Sequence, residues 1–183
     1  MKRKSNGKFR ARCNVRGFEQ RDGEHFDSHN VSAPVTNDVT IRLLFILMII
    51  AGWYGYLIDV RGAFLHGKFE NGEVIYTHIP EGFHDKWNPE HWVWLLLKTC
   101  YGLKQSRLQF WRKLLRIMKQ HGFTRSNADP CMYSKQGTNG INVWVSWVDD
   151  LIAIGPKEDV LRNTERMKSS IECDDIGWIN EYV

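Results

Sequence analysis

The sequence has few of the features that mark zinc-binding, disulfide-stabilised or secreted proteins. Its four cysteines are widely spaced and form no Cys-x-x-Cys pair, and its seven histidines include no His-Glu-x-x-His motif. This pattern argues against a zinc site and against a disulfide framework, and it is typical of a reducing compartment. The chain begins with charged residues where a secretory signal peptide would have an apolar segment.

Long hydrophobic runs, internal repeats and low-complexity linkers are absent as well. The longest uncharged run, residues 43–58, is interrupted by Gly52 and Gly55. It is shorter than the roughly 18–20 residues that cross a bilayer, so it predicts a buried helix followed by a buried strand. With 183 residues, 43% hydrophobic and 13% aromatic, the chain is long and apolar enough for one compact domain. These absences predict an intracellular protein with no membrane partner.

Acidic residues are scarce in two segments, although the net charge of the chain is only +4. Residues 1–20 contain seven Lys or Arg and one acid, and residues 104–125 contain seven Lys or Arg and no acid. Two basic segments in one chain favour a polyanionic partner such as a nucleic acid. Solvent-exposed helix and strand faces would explain either segment alone.

Two adjacent carboxylates, Asp149 and Asp150, interrupt an apolar segment in which residues 143–155 read VWVSWVDDLIAIG. The pattern predicts a hairpin with these aspartates at its tip, where glycine or asparagine is usual. A third carboxylate, Asp59, ends the apolar run 56–58. Like charges in one place repel unless a cation neutralises them, and oxygen ligands suit Mg²⁺. Three such carboxylates are a minimal set for two Mg²⁺ ions in phosphoryl transfer; a solvated Asp-Asp turn is the alternative.

The remaining patterns predict a mixed α+β domain. Alternation of basic with apolar or small residues favours a strand over residues 8–18, and a cap at Asn37 or Asp38 favours a helix over 39–52. Helical periodicity marks residues 106–121 and 157–173 as amphipathic helices. The predicted strands cover residues 56–60, 74–79, 92–97 and the two arms of the hairpin.

Seven segments, in order, resemble the reverse transcriptase of copia-type LTR retrotransposons. Residues 101–105 read YGLKQ, unchanged from the family pattern, and residues 147–150 read WVDD where the family has YVDD. Residues 59–67 read DVRGAFLHG and are similar to DVKTAFLNG. The other four segments are RAR…RGFxQ at 10–20, APV…TIR at 33–42, PEGF at 80–83 and GFxxSxxDxC at 122–131.

The resemblance implies the fingers and palm of a polymerase, with a ferredoxin-like antiparallel palm sheet packed by helices. The chain is expected to be one fingers-palm domain over residues 1–183, with the fingers at about 1–55 and 70–105 and the palm at about 56–69 and 106–183. The family's primer grip, thumb and RNase H would follow residue 183, so the thumb is expected to be missing. The implied location is the cytoplasm, in a virus-like particle, or the nucleus.

The resemblance also implies roles for individual residues. Asp59 and Asp149 would ligate two Mg²⁺ ions, which Mn²⁺ can replace, with Asp150 beside them and the Val60 carbonyl as a backbone ligand. The expected dNTP-binding residues are Arg10, Arg12, Phe64, Tyr101 and Gly102. The expected template-primer contacts, to RNA or DNA, are Lys104, Gln105, Arg112, Arg116, Lys119 and Trp147.

Three functions fit these residues. The first is an RNA-directed DNA polymerase, and the second is a catalytically inactive nucleic-acid-binding remnant of the same element. A two-metal nuclease explains the aspartates but not Phe64 or the YGLKQ segment. Phe64 also fits a plain core position, and the stripe Arg112, Arg116 and Lys119 also fits a solvated helix face. Trp147 stands where the family has tyrosine, so a bulkier side chain without a phenol hydroxyl is expected near the primer end.

Overall fold

The structure, a computed structural model, describes residues 2–3, 7, 9–70 and 72–179. The chain divides into two compact units, residues 1–32 with 64–110 (unit 1) and residues 33–63 with 111–183 (unit 2). The strands are β1 (Lys2–Arg3), β2 (Phe9–Arg10), β3 (Tyr54–Val60), β4 (Tyr76–His78), β5 (Val93–Leu95), β6 (Thr124–Arg125), β7 (Met132–Gln136), β8 (Ile141–Trp147), β9 (Asp150–Gly155) and β10 (Cys173–Trp178). The helices are α1 (Asp38–Ile50), α2 (Ser106–Gln120) and α3 (Lys157–Ser170). This mixture confirms the predicted α+β class.

Unit 1 contains two short antiparallel pairs, β1 with β2 and β4 with β5. The strand predicted over residues 8–18 is wrong for most of its length, because β2 ends at Arg10 and a 3₁₀ turn covers Gly17–Glu19. Instead of a strand partner, the segment contacts the YGLKQ region: the Val15 amide donates to the Tyr101 carbonyl at 2.9 Å. The alternating pattern predicted strand pairing here, whereas the structure has a close contact between the backbones at Val15 and Tyr101.

Unit 2 is built on an antiparallel sheet whose described strands lie in the order β10-β3-β9-β8-β7-β6. Helix α1 covers part of one face, where Leu44 and Met48 pack with Val143, Val145 and Ile154. Residues of α2 and α3, among them Leu114, Ile117 and Val160, are also buried. Apart from β6 and β7, which are inserted between α2 and β8, the elements β3, α2, β8, β9, α3 and β10 follow a β-α-β-β-α-β order along the chain.

The local helix signals were read correctly. The Asn37 side chain accepts a hydrogen bond from the Val39 amide at 2.9 Å and caps α1, as predicted. Helix α2 begins at Ser106 and ends one residue before the predicted end. Helix α3 begins at Lys157, as predicted, and ends at Ser170, three residues before the predicted end. Strands β1, β6, β7 and β10 were not predicted. None of the helices in the described part of the chain has the length and hydropathy needed to span a bilayer.

Candidate active site

The hairpin β8-β9 positions two of the three predicted aspartates. Its two-residue turn is Val148-Asp149, because Trp147 pairs with Asp150 at the end of the ladder. The prediction that Asp149 and Asp150 both occupy the tip is therefore wrong by one position: Asp150 is the first residue of β9. Val148 has a φ of +56°, a left-handed conformation that is unusual for a β-branched residue.

Strand β3 brings the third aspartate to the same place. Asp59 is the direct antiparallel partner of Asp150, so both side chains lie on one face of the sheet. The Val60 amide donates to the Asp149 carbonyl at 2.8 Å and ties the turn to the end of β3. Directly opposed residues on neighbouring strands have Cβ atoms about 5 Å apart, so the two strands hold the carboxylates side by side.

The electrostatics reflect this proximity. Partial burial raises the pKa of the Asp150 carboxyl above its ordinary value, and the negative charges of Asp149 and Asp59 raise it further. Asp59 and Asp149 are themselves half-buried, so water screens their charges only in part. The ionised trio thus repels itself and is stabilised by a positive charge placed among its oxygens.

The donor set suits Mg²⁺, since it consists of carboxylate oxygens with a backbone carbonyl one residue after Asp59. Among the described residues, however, no three His, Cys, Asp or Glu side chains converge closely enough to hold a metal ion. The backbone therefore places the aspartates together, while their side chains would have to turn towards a shared cation. Like-charged carboxylates are expected to do this only with the cation between them.

Several predicted dNTP-binding residues meet in unit 1. The rings of Phe64 and Tyr101 pack edge to face with centroids 5.1 Å apart, and the Arg12 guanidinium lies 5.3 Å from the Tyr101 ring centroid. The Thr99 hydroxyl donates to the Phe64 carbonyl at 2.6 Å and fixes the 3₁₀ turn that carries Phe64. The side chain of Arg10 lies outside the described residues.

Gly102 has a structural reason to be glycine. Its φ is +95°, and a Cβ on it would lie 2.0 Å from the Val15 carbonyl oxygen. Gly17 lies equally close to the facing backbone, since a Cβ on it would lie 1.9 Å from the Gly102 carbonyl oxygen. Two glycines thus permit the backbone contact that places Arg12 over Tyr101.

The predicted template-primer residues differ in exposure. Arg116 and Lys119 are exposed on α2, Arg112 is half-buried, and Trp147 is 42% exposed beside Asp150. Lys104 is exposed and lies 4.3 Å from the Phe26 ring centroid. Gln105 is only 1% exposed; its side chain receives a hydrogen bond from Gln20 and donates one to the His25 carbonyl. Gln105 therefore already has partners within unit 1.

Sequence reasoning missed two residues next to the aspartates. Asp174 in β10 is the direct partner of Asp59 on the side away from Asp150, and its carboxylate is paired with Arg61. The only signal was the Asp-Asp pair at 174–175, which the predicted end of the last helix left unplaced. The register of β10 with β3 shifts between Asp175 and Gly177. Apolar and polar residues therefore do not alternate regularly along β10, and its sequence gives only a weak strand signal.

Comparison with known proteins gives one consistent result. The family model described as "Reverse transcriptase (RNA-dependent DNA polymerase)" matches residues 1–183. The chain is 33% identical over 172 residues to the retrovirus-related Pol polyprotein from transposon TNT 1-94 of Nicotiana tabacum, covering 93% of this chain and 13% of that protein. It is 30% identical over 157 residues to the corresponding polyprotein from transposon RE1 of Arabidopsis thaliana, covering 86% and 10%.

A further relative, the polyprotein from transposon RE2 of Arabidopsis thaliana, is 29% identical over 157 residues, again with 86% of this chain and 10% of the relative covered. The chain thus spans between 10% and 13% of the length of these three polyproteins. No solved structure matches it.

Proposed function

The chain belongs to the reverse transcriptase family of RNA-dependent DNA polymerases, and we propose that it forms the fingers and palm of an RNA-directed DNA polymerase. The observation that carries the proposal is the register of β3 and β9, which sets Asp59 opposite Asp150, next to a turn carrying Asp149. The β-α-β-β-α-β order of β3, α2, β8, β9, α3 and β10, with β6 and β7 inserted before β8, supports a ferredoxin-like palm. Fingers at about 1–55 and 70–105, and the palm in the remainder, stay part of the proposal.

The carboxylates are the proposed catalytic centre. Asp59 and Asp149 would hold two divalent cations together with the Val60 carbonyl, and Asp150 would lie beside them. Bound there, two Mg²⁺ or Mn²⁺ ions would lower the pKa of a primer 3′-hydroxyl and neutralise the leaving pyrophosphate. The hydrogen bond from Val60 to Asp149 keeps the turn at the end of β3, so both aspartates are presented from backbone of fixed geometry.

The cluster in unit 1 is proposed to bind the incoming dNTP. Arg12, with Arg10, would pair with the triphosphate, because a guanidinium donates two parallel hydrogen bonds to phosphate oxygens. Phe64 would pack under the sugar and exclude a 2′-hydroxyl, while Tyr101 and Gly102 would line the pocket. The edge-to-face contact of Phe64 with Tyr101 supports a rigid wall at this position.

Nucleic acid is the proposed partner of the exposed cations. Arg116 and Lys119 present their charges to solvent on α2, in the same stripe as Arg112, and would follow the phosphates of a template-primer. Trp147 is exposed next to Asp150 and would lie near the primer end. In unit 1, Lys104 and Gln105 are further proposed contacts to the template-primer, with Gln105 acting through its backbone because its side chain is buried.

The proposal is tested by primer extension on an RNA template with Mg²⁺ or Mn²⁺. Wild type should incorporate dNTPs, and Asp149→Asn should abolish incorporation while leaving the fluorescence anisotropy of bound template-primer unchanged. Asp85→Asn is the matched control, since Asp85 is an exposed aspartate of a turn in unit 1.

The contrary result is equally informative. Absence of extension by wild type, together with retained template-primer binding, would favour the second candidate, a catalytically inactive nucleic-acid-binding remnant, which the exposed cations of α2 also suit. Extension that persists in Asp149→Asn would refute the assignment of the carboxylates.

A further inference from the structure

The sheet of unit 2 carries a longer run of carboxylates than the sequence predicted. Asp150, Asp59 and Asp174 are direct partners across the three neighbouring strands β9, β3 and β10. Directly opposed residues of antiparallel strands share a face, so these three side chains form one row, here named the aspartate row. With Asp149 in the adjoining turn, the backbone places four aspartates next to the end of β3.

One cation is built into this row. The Arg61 Nε donates to the Asp174 carboxylate at 2.7 Å, and Nη2 of the same guanidinium donates to the same oxygen. The Arg61 amide donates to the Glu172 carbonyl at 3.0 Å, which fixes the backbone from which the side chain extends. Arg61 lies two residues after Asp59, and its guanidinium is thus held at the Asp174 end of the row.

Stability does not account for the pair. The Arg61 and Asp174 side chains are 57% and 44% exposed, and ion pairs exposed to this degree contribute little to folding. Their effect on the charge of the row is larger. Four ionised carboxylates carry a charge of −4, and the guanidinium restores the −3 that Asp59, Asp149 and Asp150 supply by themselves.

We propose that Arg61 neutralises Asp174 and thereby confines divalent-cation binding to Asp59, Asp149 and Asp150. The inference rests on the proposed function, because it concerns the cations of the same centre. Arg61 and Asp174 are positioning residues in this scheme. They set the charge beside Asp59 without ligating a cation. Loss of Arg61 would therefore raise the affinity of the centre for divalent cations, and loss of Asp174 would lower it.

The test measures Mn²⁺ binding directly, by the electron paramagnetic resonance signal of free Mn²⁺ titrated with protein. Arg61→Met removes the guanidinium charge beside Asp174 and should tighten Mn²⁺ binding about tenfold, the effect of one unit of charge roughly 6 Å from a divalent ion in water. Asp174→Asn removes the carboxylate charge while the Arg61 guanidinium keeps its own, and should weaken binding by a similar factor. The double variant Arg61→Met/Asp174→Asn should return to within about twofold of wild type, since the two charge changes cancel.

Two controls separate electrostatics from structure. Arg61→Lys keeps the charge and should bind Mn²⁺ like wild type, and Arg16→Met removes an arginine from an exposed ion pair in unit 1 and should change nothing. Thermal unfolding of each variant should shift little, because both partners are exposed. A loss of binding in both single variants and in the double variant, accompanied by a lowered unfolding temperature, would indicate a structural role and overturn the inference.

The outcomes also distinguish this inference from the proposed function. Mn²⁺ binding that is lost in Asp59→Asn but unchanged in Arg61→Met and Asp174→Asn would overturn the inference and leave the polymerase centre standing. A wild-type protein that binds no Mn²⁺ at millimolar concentration and extends no primer would overturn both. Opposite shifts in the single variants, with recovery in the double variant, would support the inference even where extension is slow.

Discussion

Asp129 should be among the most sensitive positions of unit 2, because one buried carboxylate supports two backbone segments. It is 3% exposed. One carboxylate oxygen accepts from the Asn37 amide at 3.0 Å, and the other accepts from the Cys131 amide at 2.9 Å. Asn37 caps α1, so Asp129 joins the first turn of that helix to the segment that enters β7. Its negative charge also complements the positive end of the helix dipole.

The expected cost follows from these two hydrogen bonds. A bond to a charged acceptor contributes about 1.5–3 kcal/mol, and a buried donor left without a partner adds a desolvation cost of similar size. Asp129→Asn retains one carbonyl oxygen but presents an NH₂ group to a backbone donor, so it should lower the free energy of unfolding by about 2–4 kcal/mol. Asp129→Ala removes both acceptors and should cost about 3–6 kcal/mol, a large part of a typical total of about 5–15 kcal/mol.

Urea unfolding followed by tryptophan fluorescence measures this cost, because Trp144 in β8 is 1% exposed and reports on the core of unit 2. Asp85→Asn, at an exposed position, is the control and should stay within about 0.5 kcal/mol of wild type. A change below about 1 kcal/mol for both Asp129 variants would refute the reasoning, since it would mean that water replaces the carboxylate at both amides.

Three further predictions concern single side chains. Gly102→Ala should destabilise unit 1 by about 3 kcal/mol or more in thermal unfolding followed by circular dichroism. Gly82 has a similar φ of +91° but nothing within 4 Å of an added Cβ, so Gly82→Ala should cost only about 1–2 kcal/mol of strain, and equal costs for the two variants would contradict the clash with Val15. Burial and the charges of Lys135 and Arg166 lower the pKa of His121, so the free energy of unfolding should fall as the pH drops from about 7.5 to 5.5. The urea midpoint of His121→Gln should depend less on pH than that of wild type, and an equal pH dependence in the two proteins would contradict this. Iodoacetamide at about pH 8 should label the exposed Cys13 first, because burial raises the pKa of Cys100 and of Cys173 to about 11, and because Cys131 is only 2% exposed. Peptide mass spectrometry that finds Cys131 labelled as fast as Cys13 would contradict this prediction.

Elements with a strong local signal could be predicted from the sequence. The cap at Asn37 and the apolar periodicity of residues 106–121 depend on contacts within a few residues, and both helices formed as expected. The hairpin arms were also recognisable, because the sheet buries β8 and β9 on both faces and their sequence is correspondingly apolar. What these patterns could not supply is register, since pairing between β3 and β9 depends on residues about 90 positions apart in the chain.

Elements that depend on distant partners were missed or misplaced. Strand β10 has too few apolar residues for its sequence to predict a strand. It forms because the backbone groups along one edge of β3 pair with Cys173 and the residues that follow it. After Arg10 the error was the reverse, since a strand was predicted and did not form. The Val15 amide donates to the Tyr101 carbonyl instead of to a neighbouring strand. The row formed by Asp59, Asp150 and Asp174 is a product of register alone, which is why the compared motifs did not include Asp174 and gave Arg61 no role.

The turn at Val148 connects these points to the chemistry. Glycine or asparagine would accept a positive φ at little cost, yet this chain places a β-branched residue there at +56°. Such a residue stays in a left-handed conformation only when its surroundings fix it, at a cost of about 1–3 kcal/mol. Here the Trp147-Asp150 pair fixes one side of the turn, and the hydrogen bond from Val60 to the Asp149 carbonyl fixes the other. The strain therefore falls on the residue that precedes Asp149, and the same contacts that impose it hold Asp149 at the end of β3, where the proposed centre requires it.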